Sequence, residues 1–518
     1  MKTIYSTGYL TRYLTRYLPQ IVLVLPLCWG VSMPSVASES ARIDALEAKI
    51  EQLEQGQEEQ QSVIDEALNR IEITGYLSLR GGKLNEKDIT YLGGVSDDLS
   101  FSNETTFGIQ IKAPITDDIN MVLQLAGDSV ETQANVDWAF MEYQASSALN
   151  VRVGRLRVPG FMVSEYRAVG YAYPWVQTPL EVYGLTPFLR YEGLDFRYFM
   201  TVGDVDVRIN PFIGSTSDQK LKVGQLNYAT QDSQFGGIDI QVNYEAISIR
   251  FGYSTYDFDM EADVWDVAME GLIEGQVIVP GDPAVEFFGI VDIIDQLTAA
   301  ATGVALANPP AADAYNAEAA SFAAQRANYP NDSIMGGEQE AEYFSFGFSY
   351  DSENILVMAE IIKGGISGAF PDGKGSYMTV GYRIDNWMPH ITYAALKSTD
   401  NEDRSFLPTF VANDALWTGI PDAAAGIAGA NTAINLVNET RNLSNPSQHS
   451  WALGVRWDPV PSIAVKAEYQ YISLPGRSYG YVLPSTLIDN SGDVISPDGF
   501  PDKVDNINVV KLSLDLVF

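Results

Sequence analysis

The order of long and short connections is the feature that most constrains how this chain folds. Up to its last residues, "INVVKLSLDLVF", the chain carries short segments in which apolar and polar side chains alternate. A period of two is the pattern of a β-strand with two different faces. Sixteen such segments are present, at 71–80, 101–112, 119–128, 136–145, 149–158, 188–202, 205–215, 235–245, 247–260, 341–351, 355–364, 375–385, 388–399, 450–459, 462–473 and 505–518. Every second connection is short, such as "ASSA" and "VGD", and the others include the long segments 158–187, 261–340 and 400–449.

This order of connections separates two classes of β-protein. A soluble sandwich has no reason to collect its long loops at one end, whereas a transmembrane barrel has short periplasmic turns and long extracellular loops. The sequence therefore predicts an all-β fold, a 16-stranded antiparallel transmembrane β-barrel over 72–518, preceded by a short α-helical coiled coil. In the last strand, Leu512, Leu514, Leu516 and Phe518 face lipid. That strand closes the barrel by pairing with the first, which leaves no open edge.

The residues before the barrel predict a signal peptide and a coiled coil. The apolar run from Ile21 to Gly30 is too short to cross a bilayer, which needs about 20 residues, and it fits a secretory signal peptide over 1–37. Residues 40–71 keep a heptad pattern, and its apolar core positions include Ile43, Leu46, Ile50, Leu53 and Ile64. Isoleucine at the first position and leucine at the fourth favour two helices, but Gln57 and Gln60 weaken that preference. The heptad pattern is therefore compatible with a coiled coil of either two or three helices.

Composition argues against several classes of function. The net charge of −35 argues against nucleic-acid binding, because such a chain repels phosphate backbones. The one cysteine, Cys28, lies in the predicted signal peptide, so the exported chain has no thiol for disulfide or redox chemistry. His390 and His449 are the only histidines, too few for a catalytic or zinc cluster. We therefore expect no enzymatic activity, no metal and no cofactor.

The inward face of the predicted strands is rich in basic side chains. The candidate pore-lining residues are Arg80, Lys112, Arg152, Arg197, Arg208, Arg250, Arg383 and Arg456. Arg or Lys side chains over an aqueous path lower the electrostatic barrier for anions, so we expect an anion preference. Arg152, Arg197 and Arg208 fall on successive strands and are expected to form one cationic patch. The alternative is that each base pairs with a neighbouring acid such as Asp195 or Asp239.

Two segments carry a resemblance to a known family. The terminal "KLSLDLVF" resembles the strand signal that the barrel-assembly machinery reads, and "LNVRVGRLRVPG" is similar to the "VGR" segment common among porins. The order of signal peptide, short coiled coil and sixteen-stranded barrel resembles the DcaP-like trimeric porins of the Gram-negative outer membrane. The resemblance implies a homotrimer in the outer-membrane bilayer with its lipopolysaccharide, and a periplasmic coiled coil. It also implies passive diffusion of small hydrophilic solutes, and assembly through Phe518.

The resemblance further implies a role for the third long loop, 158–187. In porins this loop folds inward and narrows the channel, and here it carries Glu165, Arg167 and Glu181 as candidate constriction residues. Loops 261–340 and 400–449 are longer than the family pattern requires and are helix-prone. Both are candidates for covering the mouth or for binding a partner. The competing hypothesis is therefore an outer-membrane adhesin or receptor that acts through these acidic loops.

Overall fold

The computed structural model describes most of the chain and divides it into two units. The described residues are 48–50, 52, 70–91, 94–101, 105–128, 134–185, 190–216, 219–223, 226–261, 290–326, 337–366, 372–399, 431, 446–476, 478, 480–484 and 504–518. The units are Met1–Asn69 and Arg70–Phe518.

In the first unit, residues 48–50 and 52 are helical, and Ile50 is 53% exposed. The predicted signal peptide and the core positions Ile43, Leu46, Leu53 and Ile64 lie outside the described residues. The coiled coil therefore stays a prediction.

The second unit is built on sixteen long strands. Their bounds are β1 Glu72–Leu84, β2 Thr106–Pro114, β3 Ile119–Asp128, β4 Asn135–Gln144, β5 Leu149–Arg157, β6 Arg190–Val202, β7 Val205–Thr216, β8 Leu226–Tyr244, β9 Ile247–Glu261, β10 Gly337–Asp351, β11 Ile355–Ile366, β12 Gly373–Tyr382, β13 Trp387–Ser398, β14 Gln448–Val460, β15 Ile463–Ser473 and β16 Asn506–Val517. Each predicted segment corresponds to one of these strands. The largest difference in bounds is at β8, which begins at Leu226 rather than at 235.

The sheet closes on itself. Each strand pairs antiparallel with the next, and β1 pairs with both β2 and β16, so that Leu77 lies opposite Phe107 on one side and Leu516 on the other. The carboxy-terminal residue extends this closure, because the Phe518 amide donates to the Gly75 carbonyl at 3.1 Å. The predicted 16-stranded antiparallel barrel is confirmed.

The two faces of the barrel differ in the way that the alternation predicts. The outer face exposes large apolar side chains, among them Phe107, Ile109, Met121, Leu453 and Leu512. The inner face buries polar and charged side chains, among them Gln124, Asp239, Lys466, Lys511 and Asp515. So many buried ionisable groups are not expected in a dry apolar core, because burying each one without a partner costs free energy.

The connections at one end carry further structure. Helix α1, Leu180–Tyr183, lies between β5 and β6, and helices α2, Ile290–Val304, and α3, Pro309–Arg326, lie between β9 and β10. The helical tendency predicted for loop 261–340 is therefore confirmed. Leu297 of α2 and Phe322 of α3 belong to the same apolar cluster as Tyr256 and Phe258 of β9. Among the described residues, no helix combines the length and the hydrophobicity that a membrane span needs.

Candidate functional site

The connection between β5 and β6 runs through the inside of the barrel. We call residues 158–189 the third loop; the structure describes 158–185. Its Trp175 indole nitrogen donates to the hydroxyls of Thr379 and Thr392 at 2.9 and 3.0 Å, on β12 and β13. Its Tyr183 hydroxyl donates to Glu360 of β11 at 2.7 Å. Because these strands lie across the interior from β5, the third loop spans the lumen rather than extending away from it.

A buried ion pair holds the middle of the third loop. The Lys466 ammonium of β15 lies 3.0 Å from the Asp515 carboxylate of β16, and both side chains are almost fully buried, at 1% and 0% exposure. The same ammonium donates to the carbonyls of Gly170 and Trp175 at 2.6 and 2.9 Å. Gly170 is required here, because a Cβ atom at this position would overlap the Asp515 carboxylate and the Ser78 hydroxyl.

Glu181 differs from its predicted role. The sequence placed it among the charged residues of the constriction, but it is fully buried. Its Oε1 atom accepts hydrogen bonds from Gln448 at 2.9 Å and from Ser450 at 2.6 Å, both on β14. The reason is that α1 points this carboxylate toward the barrel wall, where the side chains of β14 donate the hydrogen bonds that water would otherwise donate. Arg167 is also held inward, since its Nη1 atom donates to the Tyr183 carbonyl at 2.8 Å.

Four arginines on β5, β6, β7 and β9 surround one carboxylate of the third loop. We call Arg152, Arg197, Arg208 and Arg250 the arginine cluster. Glu165 forms ion pairs with Arg197 and with Arg152, the latter at 3.5 Å. Two strand acids complete the set: Asp195 pairs with Arg152, and Asp239 pairs with Arg208 at 2.9 Å and with Arg250 at 2.5 Å. Burial acts to raise the pKa of Glu165, but Arg197 and Arg152 lower it to about 2.

These pairs correct the expectation of a free cationic patch. Arg152, Arg197 and Arg208 do lie close together, but Glu165, Asp195 and Asp239 neutralise most of the charge of the four-arginine cluster. The physical reason is that charged groups inside a barrel are costly without partners. The alternation of side chains along each strand identified the arginines as inward-facing. The position of Glu165 depends on the path of the third loop, which this alternation does not predict.

The other predicted basic residues occupy separate positions. Arg80 donates to the Tyr173 hydroxyl at 2.9 Å, and Arg456 donates to the Tyr171 carbonyl at 2.7 Å, so both contact the third loop. Lys112 lies 3.5 Å from Glu142. Arg383 was predicted on a strand, but β12 ends at Tyr382, and Arg383 lies in the following turn, where it pairs with Asp351 at 2.6 Å. That turn contains Asp385 at φ 52°, a conformation that ends a strand.

The basic side chains inside the barrel differ in their exposure. The side chains of Lys112, Arg197 and Arg208 keep 39%, 18% and 19% of their surface exposed, whereas that of Lys466 keeps 1%. The exposed basic groups lie on β2, β6 and β7, and the buried one lies on β15. The third loop is packed against the β11–β16 side, and on the opposite side Lys112, Arg197 and Arg208 remain partly exposed.

A cavity of about 290 Å³ lies between the third loop and strands β10–β14. Met162, Tyr166 and Tyr173 line it from the loop, and Met358 and Met388 line it from the wall. Two arginine–aspartate pairs, Arg383 with Asp351 and Arg456 with Asp458, lie at its edge. The described residues contain no group of three or more His, Cys, Asp or Glu side chains arranged to hold a metal ion.

Sequence reasoning missed the wall residues that hold the third loop. Thr379, Thr392 and Glu360 are the main examples, and each lies on the inward face of its strand. Inward parity marks such residues as interior, but a buried Thr or Glu carries no sequence signal for the partner that it binds.

Comparisons with known proteins give structural matches only. No protein-family model matches the chain, and no curated protein matches it. A loop-deletion mutant of OmpT, an outer membrane protein of Vibrio cholerae, is 9% identical with a TM-score of 0.44, and the match covers 86% of this chain and 99% of that one. The outer membrane channel DcaP of Acinetobacter baumannii is 10% identical with a TM-score of 0.43, over 86% and 97% of the two chains.

An anion-selective porin from Comamonas acidovorans is 10% identical with a TM-score of 0.42, over 86% of this chain and 99% of that one. Porins are thus among the proteins to which this chain is similar, as the sequence resemblance predicted. TM-scores at this level transfer no property from those proteins to this chain.

Proposed function

We propose that this chain is an outer-membrane porin that forms a water-filled channel for passive diffusion of small hydrophilic solutes. The observation that carries the proposal is the closed barrel with an exposed apolar outer face and a charged inner face. In water, an outer face of this kind is unfavourable, whereas a bilayer buries it and accepts a closed barrel because no backbone edge is left unpaired.

The proposed path runs along β2–β8, where charged side chains remain partly exposed. The third loop narrows this path from the opposite side, with Glu165 as the charged group nearest the wall arginines. The four guanidiniums of the arginine cluster pair with three carboxylates, those of Glu165, Asp195 and Asp239, so one positive charge remains in excess. That excess supports a modest anion preference, which Arg197 and Arg208 carry because water reaches them.

The proposed assembly is a homotrimer. The heptad pattern of 40–71 supports association of the chains, with this segment on the periplasmic side. The proposed lipid partner is the outer-membrane bilayer with its lipopolysaccharide, and the proposed assembly partner is the barrel-assembly machinery, which reads the strand that ends in Phe518.

The experiment is conductance of the purified protein in planar bilayers. We expect stepwise openings in groups of three, and a reversal potential that indicates anion preference at 0.1 M salt. At that concentration the screening length is about 10 Å, and it falls to about 3 Å at 1 M, so the preference should shrink as salt rises. A protein that inserts into the bilayer but stays silent would contradict the channel proposal.

A pair of variants tests which charges set the selectivity. Changing both Arg197 and Arg208 to Gln should remove most of the anion preference without closing the channel, because Gln is no larger than Arg. The matched control is Arg155→Gln, since Arg155 lies on the same strand as Arg152 but pairs with Glu192, at 2.6 Å, and with none of the three acids of the cluster. Equal selectivity of the double variant and the control would show that other charges govern the field.

A further inference from the structure

Three lysines lie side by side on the outer face of neighbouring strands. In the register of the sheet, Lys363 of β11 is directly opposite Lys374 of β12, and Lys374 is directly opposite Lys397 of β13. All three side chains are exposed. We call these three residues the lysine row. Neighbouring strands are about 4.8 Å apart, so the Cα atoms of the three lysines lie within about 10 Å of one another.

This arrangement is costly for an isolated protein. Like charges directly opposite one another destabilise a sheet. Acidic partners are not scarce in this chain, which has 67 acidic residues and 32 basic ones. Within the described part of the chain, the lysine row forms no ion pair and no hydrogen bond. Glu342 of β10, an acid on the same face, instead accepts a hydrogen bond from Tyr253 at 3.3 Å. Among the residues that the structure describes, no acid is therefore in contact with the lysine row.

The lysine row also lies at a particular height on the barrel. Lys363 and Lys397 are close to the ends of β11 and β13, and Lys374 is close to the start of β12, so all three lie at the end that carries the long connections. Farther along the same strands, the outer face becomes apolar, with Ile361 and Met378 exposed. Lysines at the edge of an apolar belt extend their ammonium groups to the membrane surface, where lipid phosphates lie.

We propose that the lysine row is a binding site for the phosphate groups of a lipopolysaccharide head group in the outer leaflet. Three ammonium groups in one row match a head group that carries more than one phosphate, and they cannot all be neutralised by a single monovalent anion. The proposal rests on the proposed placement of the barrel in the outer membrane. It adds a specific site on the lipid-facing wall, on β11–β13, apart from the channel.

The experiment titrates the detergent-purified full-length protein with diphosphoryl lipid A and counts bound lipid by native mass spectrometry. Changing Lys363, Lys374 and Lys397 together to Gln should weaken lipid A binding by at least about tenfold, because each lysine near an anionic surface contributes favourably. The same three positions changed to Arg keep their charge and should bind lipid A as the wild type does. The matched control is Lys83→Gln, a single exposed lysine of β1 that lies opposite Val510 rather than opposite another base.

Two results would overturn the proposal. One is equal lipid A binding by the wild type and the triple Gln variant, with heat-modifiable migration showing that both barrels are folded. The other is displacement of lipid A by inorganic phosphate at an equal phosphate concentration, which would indicate a simple anion site.

Conductance in phosphatidylcholine bilayers separates this proposal from the channel proposal. If the protein conducts but does not bind lipid A, only the lipid A site is refuted. If the protein binds lipid A but shows no conductance, only the channel proposal is refuted.

Discussion

Replacing Lys466 by Met should release the third loop from the wall of the barrel. In the wild type the ammonium neutralises Asp515 at 3.0 Å and donates to two loop carbonyls, those of Gly170 and Trp175. Met fills a similar volume but leaves the Asp515 carboxylate buried without its counter-charge. Removing one partner of a buried ion pair costs about 3–5 kcal/mol. Because part of this cost is relieved when the loop moves away and water enters, the released population should rise by about a hundredfold or more.

Two assays detect that release. Single-channel recordings should show larger current noise, because a mobile loop changes the width of the path. Chymotrypsin should cleave the third loop faster at its aromatic residues, which include Tyr171 and Trp175. The double variant Lys466→Met with Asp515→Leu removes both charges and should recover much of the stability, since an apolar pair of similar volume avoids the buried charge. Lys83→Met, on the outer face, is the control.

If Lys466→Met shows the current noise and the cleavage rate of the wild type, the Lys466–Asp515 ion pair does not hold the third loop. If the double variant is released as readily as the single variant, the buried carboxylate is not the cause of the release. A single variant that does not assemble at all still leaves the comparison of the double variant with the wild type.

Three further predictions concern other parts of the chain. The ion pairs of Glu165 hold its pKa at about 2, below its ordinary value of 4.5, so they stabilise the third loop fully above about pH 4.5 and are lost as the pH falls through 2. Between pH 4 and pH 2, cleavage of the loop by the acid protease pepsin should therefore increase more in the wild type than in Glu165→Gln, and equal increases would contradict the prediction. Deletion of Phe518, whose side chain is 71% exposed, should lower the amount of barrel in the outer membrane, and normal levels on membrane fractionation would contradict its role as an assembly signal. Replacing Ile50 and Leu53 together by Asp should weaken the trimer, because charges in a helical seam are costly; intact trimers at unchanged heat resistance after cross-linking would show that the barrel wall alone holds them.

The fold was predictable because one physical rule governs every strand. A strand between lipid and a polar interior must alternate, and the long and short connections must alternate as well, so β3 could be assigned from the sequence with its observed bounds. The predicted start of β8, at residue 235, lies beyond its observed start at Leu226, because the first residues of the strand include polar and small side chains that do not alternate clearly.

The site was less predictable because it depends on contacts between distant segments. The arginine cluster could be listed from strand parity, but its pairing with Glu165 could not. Glu181 shows the same limit, since an acidic residue in a polar loop gives no sign that Gln448 and Ser450 will bury it. Parity assigns a side chain to the interior, whereas the path of the third loop decides whether that side chain meets water or protein.

The anchor of the third loop also sets the order in which this protein can mature. The loop follows β5, but the groups that hold it come from near the end of the chain: Lys466 lies on β15, and Asp515 lies on β16. Contacts between residues so far apart in sequence form late, because the intervening chain must first be closed into place. Until the last strand pairs with the first, this anchor is missing, and the loop is held only by its contacts with earlier strands, such as those of Trp175 with β12 and β13. The carboxy-terminal strand therefore completes the wall and supplies the last anchor of the third loop in the same step.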